Sequence, residues 1–327
     1  MNVLADLAGG LALAVHLLCV NVATAGPLVC IWLEWRERHD PVAGRLGRFL
    51  AWKSFALLLV GGGLGVLVGV AVWGDGFRVA LRLLSYKLQF GVWEYLFSVV
   101  LMLAHAIWWS RAPQAGDAVR GVRMLLAVLA GSNLLYHFPF LFVVLSNIAN
   151  GGITATEHVN HSTFRSLMAS GDVLPRSVHF GLACFAVTGV TLLLYLARMR
   201  RKGQIEASEG QALGAACARM ALTPTLAQIL VGMWLAMKLP AAGMKAIMGQ
   251  DMVATATFLL SVLLAFWLMH LLASLALREQ TQSKVNKAAL VMALVVALMS
   301  VALVRIKRAT AVGFEPPVVQ SAGETND

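Results

Sequence analysis

Four side chains stand out in a chain otherwise made of long apolar runs: His179, Met252, His16 and Glu94. An imidazole and a thioether together form the axial ligand pair of a low-spin, electron-transferring haem, and the softer thioether raises its potential relative to a second imidazole. His179 and Met252 open two apolar segments that run in the same direction, so a porphyrin wedged between them could take one axial bond from each. The same positions also fit a plainer reading, in which His179 is an interfacial helix cap and Met252 is one of 14 methionines filling the core. His16 lies about two turns into the run LALAVHLLCVNVATAG, where burying a polar ring is costly and by default marks a functional site. Its alternative is a helix–helix hydrogen bond to Asn21 or Asn133. Glu94, between Trp93 and Tyr95, would be unfavourable as a lone carboxylate in lipid. It is expected to be protonated, paired, or facing a haem edge or water, where it could take up the proton that compensates an added electron; a place at headgroup level is the alternative.

The remaining candidates carry less. His137, in SNLLYHFPF, sits beside Pro139, whose ring frees a helix carbonyl, so a local structural bond competes with a cofactor-binding role. His105 and His270 fall near the opposite ends of their segments and read as interfacial. His158 and His161 in EHVNH could bind a surface metal or simply be solvated. The glycine run GGGLG at 61–65 suits close packing against a flat partner, either another helix or a porphyrin face. Cys19, Cys30, Cys184 and Cys217 occur singly, with no CxxC or CxxCH spacing, and read as small core residues rather than as covalent haem attachment. No phosphate-binding loop, Ser-His-Asp set or zinc hydrolase motif is present in the sequence.

The elements that must position these residues are membrane helices. The 327 residues are 59% hydrophobic and only 13% charged, with mean hydropathy +0.76, and the apolar runs repeatedly reach the roughly 20 residues needed to cross a bilayer. Spanning segments of this composition satisfy their own backbone hydrogen bonds only as helices, so the fold class is all-α, a polytopic membrane bundle. Runs bounded by charge, Pro and Gly predict eight helices at about 8–34, 50–73, 89–110, 122–149, 176–199, 213–238, 251–277 and 286–305. Connections are short except at Asn150 to Pro175, which holds an amphipathic stretch around His161 to Met168. Residues 1–309 are expected to form one haem-binding bundle and 310–327 a disordered tail. Met1 to Gly10 lacks the basic region of a signal peptide, so the first helix is expected to stay in the mature protein.

The net charge of +10 reads as topology rather than nucleic-acid binding, because Arg and Lys collect in the connections. Of the 26 basic residues, 16 lie on the side of the connections after the odd-numbered helices. The positive-inside rule then places that side in the cytoplasm of a bacterial-type inner membrane and both termini outside. Arg305, Lys307 and Arg308, at the end of the last helix, dissent. In this orientation His16, Glu94, His137, His179 and Met252 all fall in the outer half of the bilayer.

The order of these motifs resembles subunit I of cytochrome bd-type quinol oxidases, continuously over the first five helices and more loosely over the last two. HLLCVNVATAGPLVCIWLEW has the family's early histidine, small-residue stretch and late glutamate. AWKSFALLLVGGGLGVLVG resembles its second helix, FGVWEYLF carries a glutamate where the family has one beside its oxygen-reacting haems, and AGSNLL resembles its Gly-Ser-Asn. SVHFGLACFAVTG, DMVATATFLL and NKAAL resemble the starts of its fifth, seventh and eighth helices. The resemblance implies His16 as axial ligand of a high-spin haem, His179 and Met252 as the axial pair of a low-spin haem b, and Glu94 as the active-site glutamate. It also implies partners: a subunit II-like chain, cytochrome c, or quinol.

Three departures mark this chain. The family's long quinol-binding loop between its sixth and seventh helices shrinks to about Leu239 to Gln250. The Gly-Arg-Gln-Pro-Trp signature and the later haem-ligating glutamate are absent from the 327 residues. The family's second carboxylate beyond Glu94 is Met102. The leading expectation is therefore a b-type cytochrome subunit that transfers electrons in a respiratory complex. The alternatives are a divergent terminal oxidase, completed by a partner or by His137, and a haem-free transporter or scaffold.

Overall fold

The computed structural model describes residues 3–153, 158–206 and 208–312. Eight long helices carry the chain: α1 (Val3–Arg36), α2 (Pro41–Ala71), α4 (Ser85–Arg111), α5 (Asp117–Ala149), α7 (Val173–Arg201), α8 (Gln211–Met237), α10 (Met252–Ala276) and α11 (Gln282–Ala311). All eight are long and apolar enough to cross a membrane. Their outward faces present Val66, Leu67, Val100, Leu230 and Leu263 uncovered, as lipid contact requires. Short helices α3 (Asp75–Leu83), α6 (His161–Met168) and α9 (Ala241–Lys245) fill the connections, with a π turn at Ala246–Gln250 closed by Gly249 at φ +114°. No strand occurs among the described residues. The chain is a multi-pass, all-α membrane protein.

Two differences from the predicted spans have local causes. α2 begins nine residues before the predicted 50, because the Asp40 side chain accepts from the N–H groups of Val42 and Ala43 and Pro41 occupies the first turn. Arg45 and Arg48 thus lie on the helix rather than in a loop. α11 runs past the predicted 305, so Thr310 and Ala311, assigned to the tail, are helical; residues 313–327 of that tail lie outside the described residues. α6 falls on the amphipathic stretch expected there, with Asn160 capping Thr163 N–H, whereas α3 gave no recognised signal.

The helices form two closed four-helix rings. In the first, α1 packs on α2, α2 on α4, α4 on α5 and α5 back on α1; in the second, α7 packs on α8, α8 on α10, α10 on α11 and α11 back on α7. α1 joins the rings, packing on both α11 and α7 of the second. Residues 21–27 of α1 are buried without interruption, so this helix is enclosed all round. Small side chains make that possible: a Cβ on Gly26 would stand 1.8 Å from Ser54 Oγ, so only glycine lets α1 and α2 cross there.

Buried ion pairs fasten both ends of the bundle. At the end where α1 starts, Asp6 accepts from Arg305 Nη1 at 2.6 Å and Arg308 Nη1 at 2.7 Å, while Arg305 also donates to Asp251 at 2.7 Å through Nε. Lys307 Nζ donates to Asn147 Oδ1 at 3.0 Å, and Asn147 in turn donates to Asp172, the partner of Arg176. The basic residues that dissented from the charge rule are therefore consumed by internal pairs and say little about the membrane side. At the other end, Glu34 and Arg123 are both fully buried, with Arg123 Nε on Glu34 Oε1 at 2.7 Å and Nη1 on the Ala112 carbonyl at 2.6 Å. Trp109 Nε1 and Arg48 close a neighbouring pair of bonds on Glu37.

Replacing Arg305 with Ala would leave Asp251 without a charge partner and Asp6 with Arg308 alone and should cost about 3–5 kcal/mol, read as a fall in thermal midpoint in detergent. Burial alone would raise the Asp251 pKa, but the Ala254 and Val253 N–H groups and the Arg305 guanidinium outweigh it and hold the carboxyl below its ordinary 3.8. A depressed carboxylate contributes stability that is fully present above that ordinary value and is lost as pH falls through the folded one. The thermal midpoint should therefore drop as pH falls below 3.8, with a smaller drop for Asp251→Asn; an identical acid profile would remove Asp251 from this role.

Candidate functional site

The five sequence candidates divide between the two rings. His16 of α1, Glu94 of α4 and His137 of α5 belong to the first, and His179 of α7 and Met252 of α10 to the second. Bonds through Arg305 bring the starts of α1 and α10 to one end of the bundle, but the candidates' contacts differ.

His16 faces α2. Its Nδ1 lies 2.8 Å from the Gly61 carbonyl oxygen, which fixes the tautomer with Nδ1–H donating. Among the described residues nothing bonds Nε2, so its lone pair is free. A backbone carbonyl on one ring nitrogen and an open lone pair on the other is the arrangement of metal-ligating histidines. Neither expected partner is used: Asn21 Oδ1 accepts from Cys184 Sγ at 3.3 Å, and Asn133 Nδ2 donates to the Glu94 carbonyl and to Ser98 Oγ, both at 2.9 Å. The glycine run packs on helices. Gly61 meets Val20, Gly62 meets Tyr95 Oη, and Gly65 supports the imidazole itself, where a Cβ would come within 2.9 Å of His16 Cε1.

Glu94 and His137 come together across α4 and α5, with His137 Nε2 4.0 Å from Glu94 Oε1. Both side chains are partly buried, and Phe90 and Tyr136 flank the imidazole at 5.8 and 5.1 Å between ring centres. His137 of the pair lines a cavity of about 410 Å³ under α6, together with Lys87, His161 and Phe164. There Lys87 Nζ lies 2.6 Å from His161 Nδ1, and His161 Nε2 lies 3.1 Å from Tyr86 Oη. His161 thus belongs to a polar chain over this cavity. His158 has no part in it, and no group of three or more His, Cys, Asp or Glu residues arranged to hold a metal ion occurs among the described residues.

His179 lies six residues into α7, about 9 Å along the helix. Its Nδ1 is buried without a hydrogen-bond partner, which leaves an atom for a ligand to claim. Gln228 of α8 occupies the other side, with its Nε2 3.4 Å from His179 Nε2 and 3.2 Å from the His179 carbonyl. Met252 is the first residue of α10 and is 77% exposed. α8 packs against both α7 and α10, so Gln228 rather than Met252 is the side chain held against His179. A shared iron would require Gln228 to yield and the Met252 thioether to turn inward. His105 is buried in the Glu34–Arg123 cluster, its Nε2 3.7 Å from Glu34 Oε2, rather than interfacial. His270 is exposed on α10.

Gln228, Asp6 and Asp251 were not singled out from the sequence, Asn133 was named only as a possible partner of His16, and Arg305 only as a topology signal. Each carried a signal, since a polar or ionised side chain inside a spanning run needs a partner, but partners come from distant helices and spacing does not name them. Substituting Gly65 with Ala should push the imidazole off the Gly61 carbonyl and shift the His16 nitrogen resonances in ¹⁵N-labelled protein. Gly63→Ala, where an added Cβ meets nothing within 4 Å, should leave them unchanged; equal spectra for the two variants would disprove the cradle.

No family model and no curated protein matches the chain. Among solved structures it is similar to the bd oxidase from Geobacillus thermodenitrificans, with a TM-score of 0.73 and 15% identity over 93% of this chain and 87% of that one. At that identity the likeness establishes the fold alone, one similar to that of the bd oxidase.

Proposed function

We propose that the chain is a haem-carrying membrane subunit that transfers electrons in a respiratory complex, with a high-spin haem on His16 and a low-spin haem b on His179 and Met252. The observation that carries it is the His16 imidazole, held through Nδ1 by the Gly61 carbonyl at 2.8 Å while no described side chain or backbone group bonds Nε2, within a bd-oxidase-like fold. Bound haem would supply reversible one-electron chemistry at iron. The chain's own residues do the rest. His16 presents its lone pair in a fixed direction, because the carbonyl permits only one tautomer. Glu94, anchored through its backbone by Asn133, has Oε1 4.0 Å from His137 Nε2, a gap that one bridging water could close for proton relay to the imidazole, which supports uptake of the proton that accompanies an added electron. His179 offers a buried nitrogen that has no hydrogen-bond partner among the described residues. Met252 is the second ligand in this reading, recruited from the exposed first turn of α10.

The reading places the end bearing Asp6 and Arg305 outside a bacterial-type inner membrane, following the majority of the connection charges. A subunit II-like chain, cytochrome c or quinol would exchange electrons there.

The reduced-minus-oxidised absorption spectrum of the purified protein should show b-type haem bands. His179→Ala should abolish the low-spin bands and His16→Ala the high-spin component, each leaving the other. Met252→Ala should keep the haem but shift the low-spin spectrum and lower its potential. A protein without reducible haem overturns the whole reading, and an unchanged Met252→Ala spectrum removes Met252 from it. Oxygen uptake with quinol or reduced cytochrome c as donor separates an oxidase from an electron carrier.

A further inference from the structure

A second recess is remote from these residues, at the end of the bundle opposite Asp6. A groove of about 650 Å³ lies between the first turns of α2 and the last turns of α7, lined by Arg45, Arg48, Phe49, Trp52, Lys53 and Tyr195 among others. We propose that this groove binds the phosphate headgroup of an anionic phospholipid. The inference is independent of haem.

Charge is the first reason. The lining holds three cations and no carboxylate. Arg48 is neutralised by Glu37 at 2.5 Å, but Arg45 donates only to the neutral Gln204 carbonyl at 3.0 Å. Lys53 has no acidic partner among the described residues, and its ammonium lies 5.8 Å from the centre of the Phe49 ring. Two positive charges thus face the recess uncompensated, which is a binding condition for an anion.

Level and shape are the second. Phe49 stacks on Tyr195 with an interplanar angle of 3°, which bridges α2 to α7, and Trp52 donates its indole N–H to Ser110 Oγ at 2.8 Å. Aromatic rings with a polar edge beside basic side chains at helix ends mark the headgroup layer of a bilayer. From Trp52 and Lys53 the exposed face of α2 continues through Ala56, Leu59, Val60 and Gly63 to Val66 and Leu67. These positions recur at the three- and four-residue spacing of one helix face. An acyl chain can lie along this apolar track while its phosphate sits in the groove. A soluble anion would have no use for the track.

Native mass spectrometry of the purified full-length protein, stripped of lipid in neutral detergent, tests the proposal with phosphatidylglycerol, phosphatidylcholine and inorganic phosphate as probes. Phosphatidylglycerol should bind with saturation and phosphatidylcholine should not. Each lost charge should weaken binding roughly fivefold, so that Arg45→Gln with Lys53→Gln gives about 25-fold, while Lys53→Arg restores it and Lys202→Gln leaves it unchanged. Equal binding of phosphatidylglycerol by the double variant, or equal binding of phosphatidylcholine, overturns the proposal. Displacement of the lipid by inorganic phosphate also overturns it and makes the groove a site for the free anion. If the double variant does not fold, Lys53→Gln alone decides the matter, since that side chain has no ion pair to lose.

Discussion

A charge held among apolar helices has to be neutralised where it sits, and α1 is fixed in this structure by that requirement at both of its ends. Asp6 answers Arg305 and Arg308 near its start, and Glu34 answers Arg123 near its finish. Such pairs add little net stability compared with apolar residues of the same volume, because desolvation consumes most of the attraction. Their effect is on register. Sliding α1 by one turn would strand carboxylates and guanidinium groups at a cost of several kcal/mol each, so competing registers are excluded. Because α1 belongs to the first ring and packs against α7 and α11 of the second, its register bears on both.

The candidate site inherits that constraint. With α1 locked, His16 falls opposite Gly61 and Gly65, and the small residues from Asn21 to Pro27 fall where α2, α5 and α7 crowd closest. The first ring then brings Glu94 to His137 by way of Asn133, which ties α4 to α5. The second ring is organised differently: Asp251 caps α10 and clamps Arg305 at once, which holds the adjacent Met252 at the rim, while Gln228 takes the place beside His179. One bundle therefore carries two unlike environments, an ordered imidazole with an open nitrogen and a buried imidazole already attended by an amide. The basic groove at the far end adds a contact with the bilayer itself, on the helix that also cradles His16.

Much of this was legible in the residues. Eight apolar runs, the helical class and the short α6 helix follow from length and period, because in lipid the backbone has no alternative partner. The start of α2 was misplaced because Arg45 and Arg48 interrupt apolarity, although Asp40-Pro41 is a helix-start signal in its own right. The charge rule counted Arg305, Lys307 and Arg308 as topology signals, whereas Arg305 and Arg308 pair with internal carboxylates and Lys307 bonds to an internal amide, a distinction visible only once Asp6, Asp251 and Asn147 are seen beside them. The sequence pointed to His16 as a polar side chain needing a partner, yet the partner is a backbone carbonyl, which no residue type announces.

What the sequence by itself determined is that this chain crosses a membrane repeatedly as helices, and that a handful of polar side chains within those helices must be satisfied or used. Hydropathy and helix period are local properties, so they can be read one segment at a time. Only the tertiary structure decided which polar groups meet: His16 with Gly61, Glu94 with His137, His179 with Gln228, His105 with Glu34. Those pairings depend on which helices are neighbours and on their register, and both are set by close packing at glycines and by buried charges from opposite ends of the chain.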